Sequence, residues 1–442
     1  MATIRVDFSK HIGRIKPMHA VNNGPIKAQK EQKRTNFYKF KEANIPYVRN
    51  HDASFCGDYG GEHIVDVHAI FPDFKKNPYD MSSYDFTLTD DYLSTIKEAG
   101  SEIFYRLGTK IEHLRKKYGT IPPADFNKWA VICEHIIRHY NERWANGFNF
   151  GITYWEIWNE ADGVALNGDT PNWAGTPEEY YELYKVTAKH LKNRFPHLKI
   201  GGPALSDVPN EKWLEDFFIS LTEDGEKTPL DFFSWHQYFN DPWLVKRKTE
   251  YFAEKLKKYG YTATEIMLNE YNYLEDWSDG FVSTIKNIIS IKGAAFTSAV
   301  MAVGQQHLDM LMYYDARPCV FNGMFDIYTM EPLKGYYPFL MFSKLYELQN
   351  CVFSQSDDET VYVVAASNGQ ESKIMVTYYD YDEKNSEVAK NVTVYFDDAK
   401  NDKFKCSILS DESTIKKEIV SMQDGKIVLN IKRNSVIFIE SI

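Results

Sequence analysis

The sequence predicts an α/β protein built as a (β/α)8 TIM barrel with an accessory β-sandwich domain, and three features predict it. From about residue 18 to 345 helical segments alternate with short apolar runs, the pattern of parallel strand–helix units, and about eight such units fit the segment, the number that closes a barrel. No GxGxxG or GxxxxGK[ST] motif accompanies them, which removes support from a nucleotide-binding open sheet. After about residue 350 the texture changes to short strands parted by turn signals, as an all-β module requires. At 442 residues the chain is longer than one ordinary core, which suits a barrel with an added module.

Taken in order, Thr3-Ile-Arg-Val-Asp-Phe8 alternates like a half-buried strand. A strand near 46–49 follows, then a helix from Asp90 to Gly100 and a strand over Ser101–Gly108. Pro122 to Trp144 reads as a long helix capped by Asp125, because Trp129, Cys133, Ile136, Ile137, Tyr140 and Trp144 fall on one face. Gly151–Trp158 is the next strand. Thr176-Pro-Glu-Glu179 then has the form of a capping box with proline in the first turn, opening a helix that runs towards Arg194. Strands over 198–203, 231–238, 265–271 and 308–314 alternate with helices near 243–259, 283–304 and 338–347. The later strands begin at Val361, Lys373, Val392 and Lys426, with turns at Ser367-Asn-Gly369 and Gln423-Asp-Gly425. The division expected is therefore 1–17 as a strand joining the sandwich, 18–347 as the catalytic barrel and 348–442 as the C-terminal β-sandwich.

Composition narrows the partners. The net charge of -11 argues against a nucleic-acid binder, which needs a basic footprint, and no polybasic run suggests a membrane surface. No 18-residue apolar run offers a membrane span. The five cysteines, Cys56, Cys133, Cys319, Cys351 and Cys406, are odd in number and widely spaced, as free thiols in a reducing compartment would be. With no apolar leader at the start, a cytoplasmic protein is expected. Aromatic residues reach 15%, enough to stack on sugar rings, although large core residues explain much of that share.

In a barrel, chemistry sits at the C-terminal strand ends. Two of the predicted strands end in Asn-Glu: Asn159-Glu160 and Asn269-Glu270. A third ends in His236-Gln237-Tyr238, and a fourth in Arg49-Asn50-His51. Acetal hydrolysis needs such a carboxyl pair, one acid to protonate the leaving oxygen and one carboxylate to attack or to activate water. Cations and imidazoles nearby can hold the two pKa values apart. His135 and His139 stand i, i+4 on one helix but lack the glutamate of HExxH, so no metal site is expected there. Glu62, His63, Asp66 and His68 form a polar cluster that either lines the pocket or caps a loop.

Trp155-Glu-Ile-Trp-Asn-Glu160 resembles the acid/base signature of clan A glycoside hydrolases, and most of all family 39, the β-xylosidase and α-L-iduronidase family. Val48-Arg-Asn-His51, Gly201-Gly-Pro203, His236-Gln-Tyr238, Met267-Leu-Asn-Glu-Tyr-Asn272, Tyr313-Tyr-Asp315, Phe321-Asn-Gly-Met-Phe325 and Tyr336-Tyr-Pro338 are similar to further segments of that family in the same order. Asn50, where a bulky residue is common, and the strand end Tyr105-Arg-Leu-Gly108 depart from its pattern. The resemblance implies a cofactor-free, retaining exo-glycosidase of an oligosaccharide or glycoside, most nearly a β-xylosidase, with a homo-oligomer left open. Glu160 would be the acid/base and Glu270 the nucleophile. Asn159, Arg49, His51, His236, Tyr238, Arg106 and Asp315 would surround the sugar. An arabinoside, galactoside or uronide remains an alternative, with Arg106 or Arg317 as the cation a uronide needs. So does a non-catalytic carbohydrate-binding barrel.

Overall fold

A computed structural model describes residues 1–28, 34–52, 64–165, 167–207, 210–223, 225–384 and 386–442. Eight parallel strands close into a barrel: β2 (Ala20–Asn22), β3 (Tyr47–Arg49), β4 (Glu102–Leu107), β5 (Tyr154–Ile157), β6 (Lys199–Leu205), β7 (Phe232–Phe239), β8 (Glu265–Tyr273) and β9 (Met310–Tyr313). They follow one another round the barrel in chain order, and β9 closes on β2. The remaining strands are β1 (Ala2–Arg14), β10 (Asn350–Ser356), β11 (Val361–Ser367), β12 (Ser372–Tyr378), β13 (Ala389–Asp397), β14 (Lys403–Leu409), β15 (Lys416–Ser421), β16 (Lys426–Lys432) and β17 (Ser435–Ser441). They make one nine-stranded sheet in the order β15-β14-β17-β12-β11-β10-β1-β13-β16.

That sheet is mostly antiparallel, with β1 running antiparallel to β10 and parallel to β13. The hydrogen bonding is continuous, so the sandwich is a single sheet folded over on itself. Phe396 of β13 stacks on Phe404 of β14, 4.7 Å between ring centroids, although five strands lie between them in the ladder. Ile4, Val6, Val363, Val376, Val394 and Ile439 share the apolar interior this creates. The sheet docks on the barrel through the helix Ile291–His307, which is rich in small residues and buried along nearly its whole length. Ser298 of that helix meets Thr377 of β12 at 2.6 Å, and Phe296 packs against Tyr379. The sequence reads one helix near 283–304; the structure breaks it into Phe281–Ile288 and Ile291–His307, bent by 78°. No single helix among the described residues is long and apolar enough to cross a membrane.

Alternation along the strands divides the barrel interior into layers. Ala20, Phe104, Phe232, Met267, Met310 and Met312, with Tyr47 and Tyr154, plug the lower end. Two residues further along six of the strands the inward positions turn polar: Asn22, Arg49, Arg106, Glu156, Ser234 and Asn269, all fully buried. The site stands on this layer. Helix caps follow the sequence, with Asp125 accepting from Lys128 N and Thr176 with Glu179 forming both halves of a capping box.

Candidate active site

The end of β5 turns sharply. Trp158 and Glu160 both take left-handed backbone conformations, φ 73° and 47°, which cost non-glycine residues roughly 1–3 kcal/mol each and persist only when their surroundings fix them. Here Trp158 N donates to Leu107 O at 2.7 Å, Glu160 N donates to Ala204 O at 2.9 Å, and the Trp158 indole donates to Asn172 O at 2.8 Å. Gly108 is required beside this turn, because a Cβ there would stand 2.9 Å from the Trp158 Cα. The double turn delivers Glu160 to the barrel mouth. Glu270 arrives from β8 opposite His236 of β7, where the ladder shifts register.

One carboxylate oxygen each of Glu160 and Glu270 and a ring nitrogen of His236 all lie within 4.8 Å of one another. His236 Nδ1 is 2.7 Å from Glu160 Oε1 and 3.7 Å from Glu270 Oε2. These are also the side chains whose ligand atoms stand close enough together to hold a metal ion, but Arg49 already brings the positive charge that a cation would supply. Its guanidinium is wholly buried and fans out to four acceptors: Glu156 Oε2 at 2.7 Å, Asn22 Oδ1 at 2.9 Å, Glu270 Oε2 at 3.0 Å and Asn159 Oδ1 at 2.6 Å. Tyr238 donates its hydroxyl to Glu270 Oε1 at 2.7 Å. Asn172 donates to Glu160 Oε2 at 3.1 Å.

The two carboxyl groups thereby differ. Burial raises Glu160 to about 7; the field of Asp207 adds to this, while Arg49 and the Asn172 amide oppose it. Burial also pushes Glu270 up, but it accepts directly from Arg49 and Tyr238, which favour the carboxylate. Among the described residues Glu160 lacks any such contact with a cation and has only the Asn172 amide and the neutral ring of His236 beside it. Burial lowers His236, so its imidazole stays neutral near pH 7. It lowers His51 well below the ordinary range too, with Arg49 and Arg106 acting in the same direction.

Glu160 with His236, and Glu270 with Arg49, Asn159 and Tyr238, thus form two hydrogen-bonded sets that meet where His236 stands 3.7 Å from Glu270, and His51 stands at their edge with its ring against Tyr314. Arg106 and Asp315 take different places from those expected beside the sugar. Arg106 is fully buried, and its Nη2 donates to His51 O and to Asp66 Oδ1, both at 2.6 Å, so it buttresses the β3 end from beneath. Asp315 is buried as well and accepts from Arg317 N and Nε at 2.7 and 2.9 Å. Asp66 belongs to the Arg106 ion pair; Glu62, His63 and Cys56 lie outside the described residues. His139 bonds Asp90 and Trp144 O, and His135 bonds Val131 O, so that pair serves packing.

Sequence reasoning missed Glu156, Asn22, Ser234 and Asn172. Glu156 accepts from Arg49, Ser234 and Asn269 and supports the whole group from below. Its signal was available, since a glutamate two residues beyond Tyr154 must face the barrel axis. Asn172 comes from a loop with no such periodicity.

A closed parallel barrel with two unlike carboxyl groups converging at its C-terminal mouth is the arrangement of a glycoside-hydrolase barrel. More particularly, a model of glycosyl hydrolases family 39 matches residues 3–270, and the chain belongs to that family. It is 24% identical over 335 residues to a β-xylosidase of Geobacillus stearothermophilus, covering 68% of this chain and 62% of that protein. With a β-xylosidase of Caldicellulosiruptor saccharolyticus it is 27% identical over 282 residues, covering 58% and 52%. The matched regions thus span between half and two thirds of these relatives' length. The solved structure of a glucosidase from Croceicoccus marinus shares the fold, with a TM-score of 0.79 at 18% identity over 100% of this chain and 98% of that one.

Proposed function

We propose that the protein is a retaining exo-glycosidase acting on β-xylosides by double displacement. The observation that carries this reading is the spacing of Glu160 and Glu270, whose nearest carboxylate oxygens lie within 4.8 Å. Retaining pairs stand about 5–5.5 Å apart, whereas inverting pairs stand about 6.5–9.5 Å apart to admit a water. Glu160, raised to about 7, protonates the departing oxygen. Glu270 attacks the anomeric carbon and forms the glycosyl-enzyme. Glu160, now ionised, takes a proton from the water that releases the sugar. Asn159 gives its Oδ1 to Arg49, which leaves its Nδ2 to donate to a sugar hydroxyl beside Glu270.

The β-xyloside assignment draws on the two β-xylosidase relatives. A neutral sugar fits the electrostatics better than a uronide, because Arg106 is paired with Asp66 and Arg317 with Asp52 and Asp315. A barrel that only binds sugar would not need a carboxyl group held protonated beside an ionised one.

The test is Glu270→Ala assayed with p-nitrophenyl β-D-xyloside, with and without azide. Turnover by the parent, its loss in the variant, and azide rescue giving a product of inverted anomeric configuration are expected. A parent inactive on every member of a panel of aryl glycosides, or a variant as active as the parent, overturns the reading.

A further inference from the structure

Of the nine tryptophans, Trp277 is the one with a largely exposed side chain, at 48%. It stands just beyond β8, and it is held in place. Its indole N–H donates to Asp207 Oδ2 at 3.3 Å, and its ring meets the edge of Tyr238 with centroids 5.1 Å apart. Phe281 and Phe321 flank it at 6.0 and 6.2 Å. Asp207 is itself fixed, accepting from Tyr238 N at 3.1 Å and from the Gln237 side chain. An exposed aromatic ring that is also rigid loses little freedom on binding and is a ready contact for an amphipathic ligand.

The ring ends an aromatic arc that leads out of the site. His51 lies 6.1 Å from Tyr314, Tyr314 lies 5.9 Å from Phe321, and Phe321 touches both Tyr238 and Trp277. Exposure grows along it, from His51 at 5% through the half-buried Tyr314 and Phe321 to Trp277 at 48%. Tyr238, which hydrogen-bonds Glu270, packs on Tyr314, Phe321 and Trp277 alike, so the sugar that is attacked lies against the buried side of the arc. The outer end lies in solvent, where the remainder of an oligosaccharide must extend.

We propose that Trp277, pinned by Asp207 and Tyr238, is the stacking platform for the sugar unit on the leaving-group side, making the enzyme selective for oligosaccharides over small glycosides. The apolar C–H face of a pyranose lies flat on an indole, and such a contact needs no particular hydroxyl pattern. The proposal rests on the glycosidase reading, and binding to an inactive protein tests it apart from turnover.

The experiment measures binding of xylose and of β-1,4-xylotriose to Glu270→Ala, and to the same protein carrying Trp277→Ala or Trp277→Phe, by titration calorimetry. Trp277→Ala is expected to weaken xylotriose about tenfold and leave xylose unchanged, with Trp277→Phe in between. Equal weakening of both sugars, no weakening of xylotriose, or binding of neither sugar overturns the platform. Turnover of aryl glycosides by the parent decides the glycosidase reading independently. As a kinetic companion, Trp277→Ala in the active enzyme is expected to lower kcat/KM for xylotriose about tenfold and leave β-xylosyl fluoride, whose leaving group is a single atom, unchanged. A fluoride substrate affected equally counts against the platform.

Discussion

Arg49 Nη1 lies 3.0 Å from Glu270 Oε2 with the guanidinium wholly out of solvent. Since the same guanidinium also bonds Glu156 and Asn159, it ties the buried polar layer of the barrel to both proposed catalytic strand ends. Replacing it by a neutral chain of similar length, Arg49→Met, leaves two buried carboxylates without their cation. The expected cost is about 3–5 kcal/mol of stability, because each remaining charge keeps its desolvation penalty. Urea unfolding measures this, and a loss below about 1 kcal/mol would mean that the layer relaxes without it.

As the proposed acid, Glu160, raised to about 7, is expected to set the alkaline side of the pH profile. For a substrate with a poor leaving group, kcat/KM should fall as pH rises through about 7, when the acid loses its proton. An activated aryl glycoside, which needs no protonation, should show a weaker fall. Stability has a related signature. The folded state binds the Glu160 proton more tightly than the unfolded state, so stability falls as pH rises from about 4.5 to about 7. Glu160→Gln removes that decline, and unfolding at pH 4 and pH 8 should show the variant gaining on the parent at the higher pH by on the order of 3 kcal/mol.

Asn172 donates to Glu160 Oε2 and so favours its ionised form. In Asn172→Ala the alkaline limb of the same profile should move to higher pH. An unmoved limb would show that solvent replaces the amide.

Tyr238→Phe removes the 2.7 Å hydrogen bond to Glu270 without emptying the ring's place beside Trp277. Expected is a loss of about tenfold to a hundredfold in kcat/KM, together with an acidic limb displaced to higher pH, because the carboxylate loses a donor. A lower rate with an unshifted acidic limb would assign Tyr238 to packing alone.

The order of elements was readable because periodicity is local. Asp125 and the Thr176 box opened their helices where expected, and the Asn-Glu pairs stood out as polar ends to apolar runs, although β8 continues three residues past Glu270 to Tyr273. The break between Phe281–Ile288 and Ile291–His307 was missed because both pieces carry apolar residues, although Ser290 marks it by capping the second piece, accepting from Lys292 N. Arg106 illustrates a limit of another kind at the site. A cation at a strand end reads as a substrate contact until Asp66, forty residues earlier, is seen to neutralise it.

The sequence by itself determined the kinds of groups present, two glutamates, an arginine and a histidine at separate strand ends, because strand ends and their chemistry are encoded within a few residues. Only the tertiary structure decided how differently the two glutamates are surrounded. That difference depends on burial and on donors brought from other strands and loops: Arg49 and Tyr238 to Glu270, Asn172 and the field of Asp207 to Glu160. Charges interact through space, so a carboxyl group takes its pKa from neighbours that the chain order does not reveal.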